Sequence, residues 1–77
     1  MQIKQFEDKN LSHYSYAIIS NHEMALIDPA RNPQPYYDFA KQHSARIVAV
    51  IETHPHADFV SCHKEIAQNT GATVYVS

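Results

Sequence analysis

No internal disulfide can brace this chain, because its 77 residues include one cysteine, Cys62. That lone thiol is compatible with a reducing compartment. Long hydrophobic runs are missing too: none approaches the ~20 residues needed to cross a bilayer. The opening Met1-Gln2-Ile3-Lys4-Gln5-Phe6-Glu7-Asp8-Lys9 interrupts its apolar residues with charge, so it lacks the apolar stretch of a secretory signal. The expected address is the cytoplasm, with no membrane contact. Basic clusters are absent as well. Six Lys and Arg are scattered through a chain of formal charge −2, which offers no stripe to a phosphate backbone and argues against nucleic-acid binding. There is no repeat, low-complexity tract or Gly/Ser linker. Length is short: a domain of this size buries only about 60% of its unfolded surface, and such chains usually add disulfides or a structural metal. The hydrophobic fraction, 44%, is still that of a globular protein and argues against disorder.

What is present reads as alternating strands and helices. Residues 3–7 fit a first strand. Residues 14–20 fit a second, with Tyr14, Tyr16 and Ile18 on one face and Ala17 and Ile19 on the other. Asn21-His22 suits a two-residue hairpin turn because Asn tolerates positive φ. Residues 24–27 form the returning strand, which stops at Asp28-Pro29: the residue before proline is expected to stay extended, and the proline lacks a ladder donor. Asn32-Pro33 predicts a helix start, Asn as N-cap and Pro in the first helical position. Tyr36, Phe39, Ala40 and His43 then mark one helical face. The β-branched run Ile47-Val48-Ala49-Val50-Ile51 shows no alternation and predicts a strand covered on both faces. Phe59, Cys62, His63, Ile66 and Ala67 mark a second helical face, Gly71 a helix stop, and Thr73-Val74-Tyr75-Val76 a last strand. A meander leading into βαβ units implies an α/β fold with a mixed sheet and flanking helices. The last strand is reached as the chain ends, so an incomplete domain is expected.

Thr53-His54-Pro55-His56-Ala57-Asp58 follows the apolar strand directly. In an extended segment, side chains at i, i+2 and i+4 project to one side, and Pro55 holds His54 in the extended region. Two imidazoles and a carboxylate at that spacing suit zinc, iron or manganese. The carboxyl end of a strand in an open α/β sheet is also where ligands bind. On spacing alone two readings stand: a metal loop, or an ordinary loop in which Asp58 caps the next helix. Catalytic metal sites draw ligands from separate elements, so this loop leaves a site open.

The other histidines and the cysteine carry less. His22 reads as a turn residue and His43 as a helix end. His13 and His63 lie nearer to strand or helix ends from which the site could be touched. Cys62 falls in the expected first turn of the second helix, where the helix dipole can lower a thiol pKa; a small buried hydrophobe is the competing reading. Asp28 is either a turn acid or a carboxylate supporting the site, with the turn role favoured. Tyr14, Tyr16, Tyr36 and Phe39 read as core or half-buried packing.

The segment from Thr53 to Asp58, placed after the apolar strand, resembles the T-H-x-H-x-D-H signature of the metallo-β-lactamase superfamily, and Tyr14–Ser20 with Ala25-Leu26-Ile27-Asp28-Pro29 resembles the paired strands with which those domains begin. More narrowly, residues 52–60 resemble the glutathione-persulfide dioxygenase branch and its sulfurtransferase fusions. The resemblance covers essentially the whole chain. It implies an αββα sandwich, of which residues 1–77 would be the N-terminal portion of a single domain. It also implies metal ligands at His54, His56 and Asp58, with Asp58 the candidate catalytic carboxylate. In hydrolytic members the Asp and a following His bind a second metal. Here Phe59 stands in that place, and phenylalanine has no lone pair to donate, so a mononuclear centre is implied. In the dioxygenase branch one ferrous iron is held by the first motif His together with a later His and a later Asp. His54 is then a ligand, while His56 and Asp58 are either ligands in a hydrolase-like site or groups that orient water and substrate.

Three functions follow as expectations. The first is a non-haem Fe(II) dioxygenase that oxidises a small thiol persulfide, glutathione-like, to sulfite. The second is a zinc thioester hydrolase of the glyoxalase II type. The third is a non-catalytic fragment or interaction module, and the 77-residue chain alone is expected to be inactive. Some members of the branch carry a C-terminal rhodanese-like domain. Such a domain in the full-length protein, and a homo-oligomer, are both compatible with the sequence.

Overall fold

A computed structural model of the chain describes residues 1–9, 13–54 and 61–76. β1 (Gln2–Asp8) and β2 (His13–Ser20) pair antiparallel. Asn21 and His22 then take φ values of 54° and 63°, the positive pair whose twist matches a two-residue hairpin. They return the chain as β3 (Glu23–Ile27), antiparallel to β2 with Ser20 opposite Glu23. α1 (Gln34–Gln42) crosses to β4 (Arg46–Glu52), parallel to β3, and α2 (His63–Thr70) crosses to β5 (Thr73–Val76), parallel to β4. The described residues thus form one mixed five-stranded sheet in the order β1-β2-β3-β4-β5, the α/β arrangement the sequence predicts.

Local chemistry sets the helix ends. α1 begins one residue later than expected, with Pro33 in the cap position. Asn32 still serves the helix start, because its Oδ1 accepts the Gln34 N–H at 3.0 Å. His43 closes α1 and donates Nδ1–H to the Phe39 carbonyl at 3.0 Å. Gly71 ends α2 at φ 75°, its N–H donating to Ala67 O at 2.8 Å; only glycine takes that left-handed conformation without a Cβ penalty. Cys62 occupies the cap position of α2 rather than its first turn.

The core lies between the helices and one face of the sheet. Met24, Leu26, Val50 and Ile66 are wholly buried there with Ala17, and α1 adds Tyr36 and Ala40. Phe6 packs edge-on against Tyr36 and Phe39, with ring centroids 4.9 and 5.7 Å apart.

Two packing expectations are corrected. β4 is covered on one face only. Its pairing with β3 shifts between Met24 and Ala25, so that Met24 faces Ile47 while Ala25 faces Ala49, leaving Val48 as the extra residue. That bulge resets the alternation. Ile47, Val50 and Glu52 are buried, whereas Val48, Ala49 and Ile51 are half-buried. The unbroken apolar run therefore reflects a bulge and a second apolar face, which no helix covers among the described residues. Along that second face, rows such as Ile3, Ile18, Ala25 and Ala49, and Tyr16, Ile27, Ile51 and Tyr75, run across the register. Tyr14 belongs to the same face and is 49% exposed, not packed as expected. Tyr36 is buried, and Tyr16 and Phe39 are half-buried.

Candidate metal centre

β3 and β4 run parallel, so their carboxyl ends bring Asp28 beside Thr53 and His54, the residues that follow β4. Of the three sequence-predicted ligands the structure describes His54, which is exposed; His56, Asp58 and the neighbouring Phe59 lie outside the described residues. Among the described residues no three His, Cys, Asp or Glu side chains are grouped to hold a metal ion.

His54 is the end of a short hydrogen-bonded chain. Asp28 Oδ1 accepts the Thr53 backbone N–H at 2.8 Å, and Asp28 Oδ2 accepts the Thr53 hydroxyl. The His54 Nδ1 lies 3.0 Å from Thr53 Oγ1. An ionised carboxylate can only accept, so the threonine proton points to Asp28 and the hydroxyl lone pair faces the ring. His54 Nδ1–H must then donate, and the ring's lone pair sits on Nε2. A second-shell chain of this kind orients a metal-ligating imidazole and raises its basicity. The donor chemistry at His54 therefore fits a metal.

Asp28 itself departs from expectation. It lies at φ 51°, not in the extended region that a following proline favours. Four hydrogen bonds compensate: its N–H donates to Ile51 O at 2.9 Å, its carbonyl accepts from His13 Nε2 at 2.6 Å, and its carboxylate accepts both the Thr53 N–H and the Thr53 hydroxyl. A non-glycine residue in the left-handed region beside a candidate site is strain of the kind found where geometry serves function. Asp28 does make the turn, but its side chain reaches the residue beside His54. His13, through that contact, belongs to the surroundings of the site.

A second polar group was not visible from the motif. Glu52, the last residue of β4, is buried with Ser61 and His63. Ser61 Oγ–H donates to Glu52 Oε1 at 3.0 Å, and His63 Nδ1 lies 3.1 Å from that oxygen and 2.9 Å from Ser61 Oγ. The sequence signal for it was a carboxylate closing an otherwise apolar strand. His22 and His43, by contrast, are the turn and helix-end residues expected of them.

Cys62 is a packed side chain. It is 3% exposed, and burial pushes its thiol up to about 12, with the Glu65 and Glu52 charges adding to the rise and a backbone hydrogen bond opposing it. Since the thiolate is the reactive form, Cys62 is held as the unreactive thiol at pH 8. Native protein at that pH is expected to resist thiol-labelling reagents over times in which urea-unfolded protein labels fully. Equal labelling rates in the two states would show that Cys62 is accessible and activated.

Comparison with known proteins agrees with this fold. The sequence model of the metallo-beta-lactamase superfamily matches residues 8–77. A metallo-beta-lactamase structure from Staphylococcus aureus subsp. aureus COL is 40% identical, with a TM-score of 0.89, over 99% of this chain and 22% of that one. ETHE1 from Myxococcus xanthus is 27% identical with a TM-score of 0.88, over 96% of this chain and 34% of that one. BLEG-1 B3 metallo-beta-lactamase shares the fold at 19% identity and a TM-score of 0.80, over 96% and 36% of the two chains. The chain thus spans about a third or less of the length of these structures. No curated protein sequence matches it.

Proposed function

This chain belongs to the metallo-β-lactamase superfamily, and from that premise we propose that the whole protein is a mononuclear non-haem Fe(II) dioxygenase that oxidises a small thiol persulfide, glutathione-like, to sulfite. The observation that carries this reading is the Asp28–Thr53–His54 chain, which puts the imidazole lone pair on Nε2 at the carboxyl edge of the sheet. Two further features support it. Phe59 occupies the place from which a second metal would take its histidine, which favours one metal, and residues 52–60 resemble the persulfide dioxygenase branch. The likeness to ETHE1 is in keeping with that branch.

In this reading His54 holds the iron together with a His and an Asp supplied by the remainder of the protein. His56 and Asp58 orient water and substrate, Asp58 as the catalytic carboxylate. Iron supplies the one-electron and O₂ chemistry that side chains lack. The chain's own part is to fix the imidazole: Asp28 accepts a hydrogen bond from the Thr53 hydroxyl, and Thr53 Oγ1 accepts one from His54 Nδ1–H. The sheet face bearing Ile18, Ile27 and Ile51 is where the second layer of an αββα sandwich would pack, so the active protein is the longer one, of which this chain is the N-terminal portion. No helix among the described residues is long and apolar enough to cross a membrane. A cytoplasmic address belongs to the same proposal and rests on the lone, buried thiol.

A zinc thioester hydrolase of the glyoxalase II type is the second reading, in which His54, His56 and Asp58 would all serve as metal ligands. Product analysis separates the two. Whole protein loaded anaerobically with Fe(II) is expected to form sulfite from glutathione persulfide in air, and the Zn(II) form to form none. Thioester cleavage by the Zn(II) form, with no sulfite from the Fe(II) form, would replace the dioxygenase by the hydrolase.

A further inference from the structure

Tyr36 packs as a core ring, yet its hydroxyl also reaches the turn that carries Asp28. The residue is 2% exposed and its ring stacks edge-on with Phe6. Its hydroxyl oxygen accepts the Ala30 N–H at 2.7 Å and lies 2.7 Å from Ser15 Oγ, itself buried. Packing alone asks for no hydroxyl, and a buried phenol is costly unless its oxygen is bonded.

The turn Asp28-Pro29-Ala30 is held by four different elements. β4 takes the Asp28 N–H at Ile51 O, and β2 offers His13 Nε2 to the Asp28 carbonyl. α1 takes the Ala30 N–H at the Tyr36 hydroxyl, and Cys62, at the cap of α2, donates its N–H to Ala30 O at 3.0 Å. Pro29, between them, is fully buried. A left-handed non-glycine residue persists where its surroundings over-determine it, and Asp28 at φ 51° has such surroundings. The link from Ala30 back to Asp28 is also stiff. Peptide planarity and the proline ring leave only the Asp28 and Pro29 ψ angles soft between the Ala30 nitrogen and the Asp28 Cα. A shift of Ala30 therefore passes to Asp28, whose carboxylate accepts the Thr53 N–H and hydroxyl.

We propose that Tyr36 is a positioning residue for His54: its hydroxyl fixes Ala30, keeps the Asp28 carboxylate on Thr53, and so keeps the imidazole proton on Nδ1. The consequence for the site, tighter metal binding at Nε2, rests on the metal reading of His54.

The test uses the whole protein. Tyr36→Phe keeps the ring and removes the hydroxyl. In the metal-free variant, the nitrogen NMR shifts of His54 are expected to move from the Nδ1–H form toward the Nε2–H form. Zn(II) affinity, read by competition against a chelator, should fall about 3- to 10-fold, short of the loss that a direct partner of the ligand brings. Ala40→Gly, in the same helix, is the control: glycine costs helix stability, so the unfolding midpoint falls while the His54 shifts stay. If Tyr36→Phe does not fold because Ser15 and Ala30 lose their partner, Ser15→Ala with Tyr36→Phe removes one orphaned group and gives the same reading. Parental His54 shifts in the folded variant overturn the role of Tyr36. So do equal shifts in Ala40→Gly, which would trace the change to stability alone. His54→Ala separates the two readings. If it keeps Zn(II), the metal reading falls, while a moved tautomer in Tyr36→Phe still upholds the positioning. If it loses Zn(II) and Tyr36→Phe binds as tightly as the parent, the metal reading stands and the positioning role is overturned.

Discussion

Replacing His54 by alanine should leave the whole protein folded but unable to retain its metal through dialysis. The affinity loss is expected to exceed about 100-fold, beyond what removal of a supporting partner produces. The reason is local: Thr53 Oγ1 accepts a hydrogen bond from Nδ1–H, which leaves Nε2 as the coordinating atom of the proposed site, and alanine offers nothing in its place. The side chain is exposed, and surface changes away from special features usually alter stability by less than about 0.5 kcal/mol. Metal analysis of the dialysed variant, beside unfolding curves of the metal-free parent and variant, separates lost ligation from lost structure. Retention of one metal per chain by His54→Ala would remove His54 from the site.

Asp28→Asn is expected to have the next largest effect, about a 10- to 100-fold loss of metal affinity. Asparagine tolerates the left-handed backbone much as aspartate does, so the turn at φ 51° is kept and the change falls on the hydrogen bonds. An Asn carbonyl can still accept the Thr53 N–H. Its NH₂ group then meets the Thr53 hydroxyl as a donor, and the hydroxyl proton turns toward His54 Nδ1. The ring responds by carrying its proton on Nε2, the atom the metal needs. Nitrogen NMR shifts of His54 in the metal-free protein report the tautomer directly. An Nδ1–H ring in the parent and an Nε2–H ring in Asp28→Asn are the expected pair. An unchanged tautomer with unchanged affinity would reduce Asp28 to a turn residue.

Much of the sheet was legible because its signals are local. The hairpin is announced by Asn21 before His22, the last helix stop by Gly71, and each strand by its β-formers. The burial of β4 was not legible. Five apolar residues in a row look the same whether two faces are covered or a bulge at Val48 resets the alternation, and pairing with Met24 and Ala25 decides between them. The left-handed Asp28 was hidden for a similar reason: its local rule, set by Pro29, points to extended backbone, while the bonds that override it come from Ile51, His13 and Thr53, distant in sequence.

At the candidate site the motif pointed to His54, which the structure sets beside Asp28 through Thr53; His56 and Asp58 lie outside the described residues. The residues that orient His54 were less legible. Asp28 reads as a turn acid until β3 and β4 are set side by side. Glu52 carries no signal of its own in the sequence beyond a carboxylate closing an apolar strand, and its part shows only where Ser61 and His63 fold back over it. Cys62 could be read from its place near a helix start as an activated thiol or as a small buried hydrophobe; the structure shows the second, and burial drives the thiol pKa up.

Oxygen uptake bears most directly on the central claim. Whole protein, loaded anaerobically with Fe(II) or with Zn(II), is mixed with glutathione persulfide in an oxygen electrode. The account predicts rapid uptake by the iron form, none by the zinc form, and none by His54→Ala treated with iron. Absence of uptake by an iron form that holds one metal per chain, or equal uptake by His54→Ala, would contradict it.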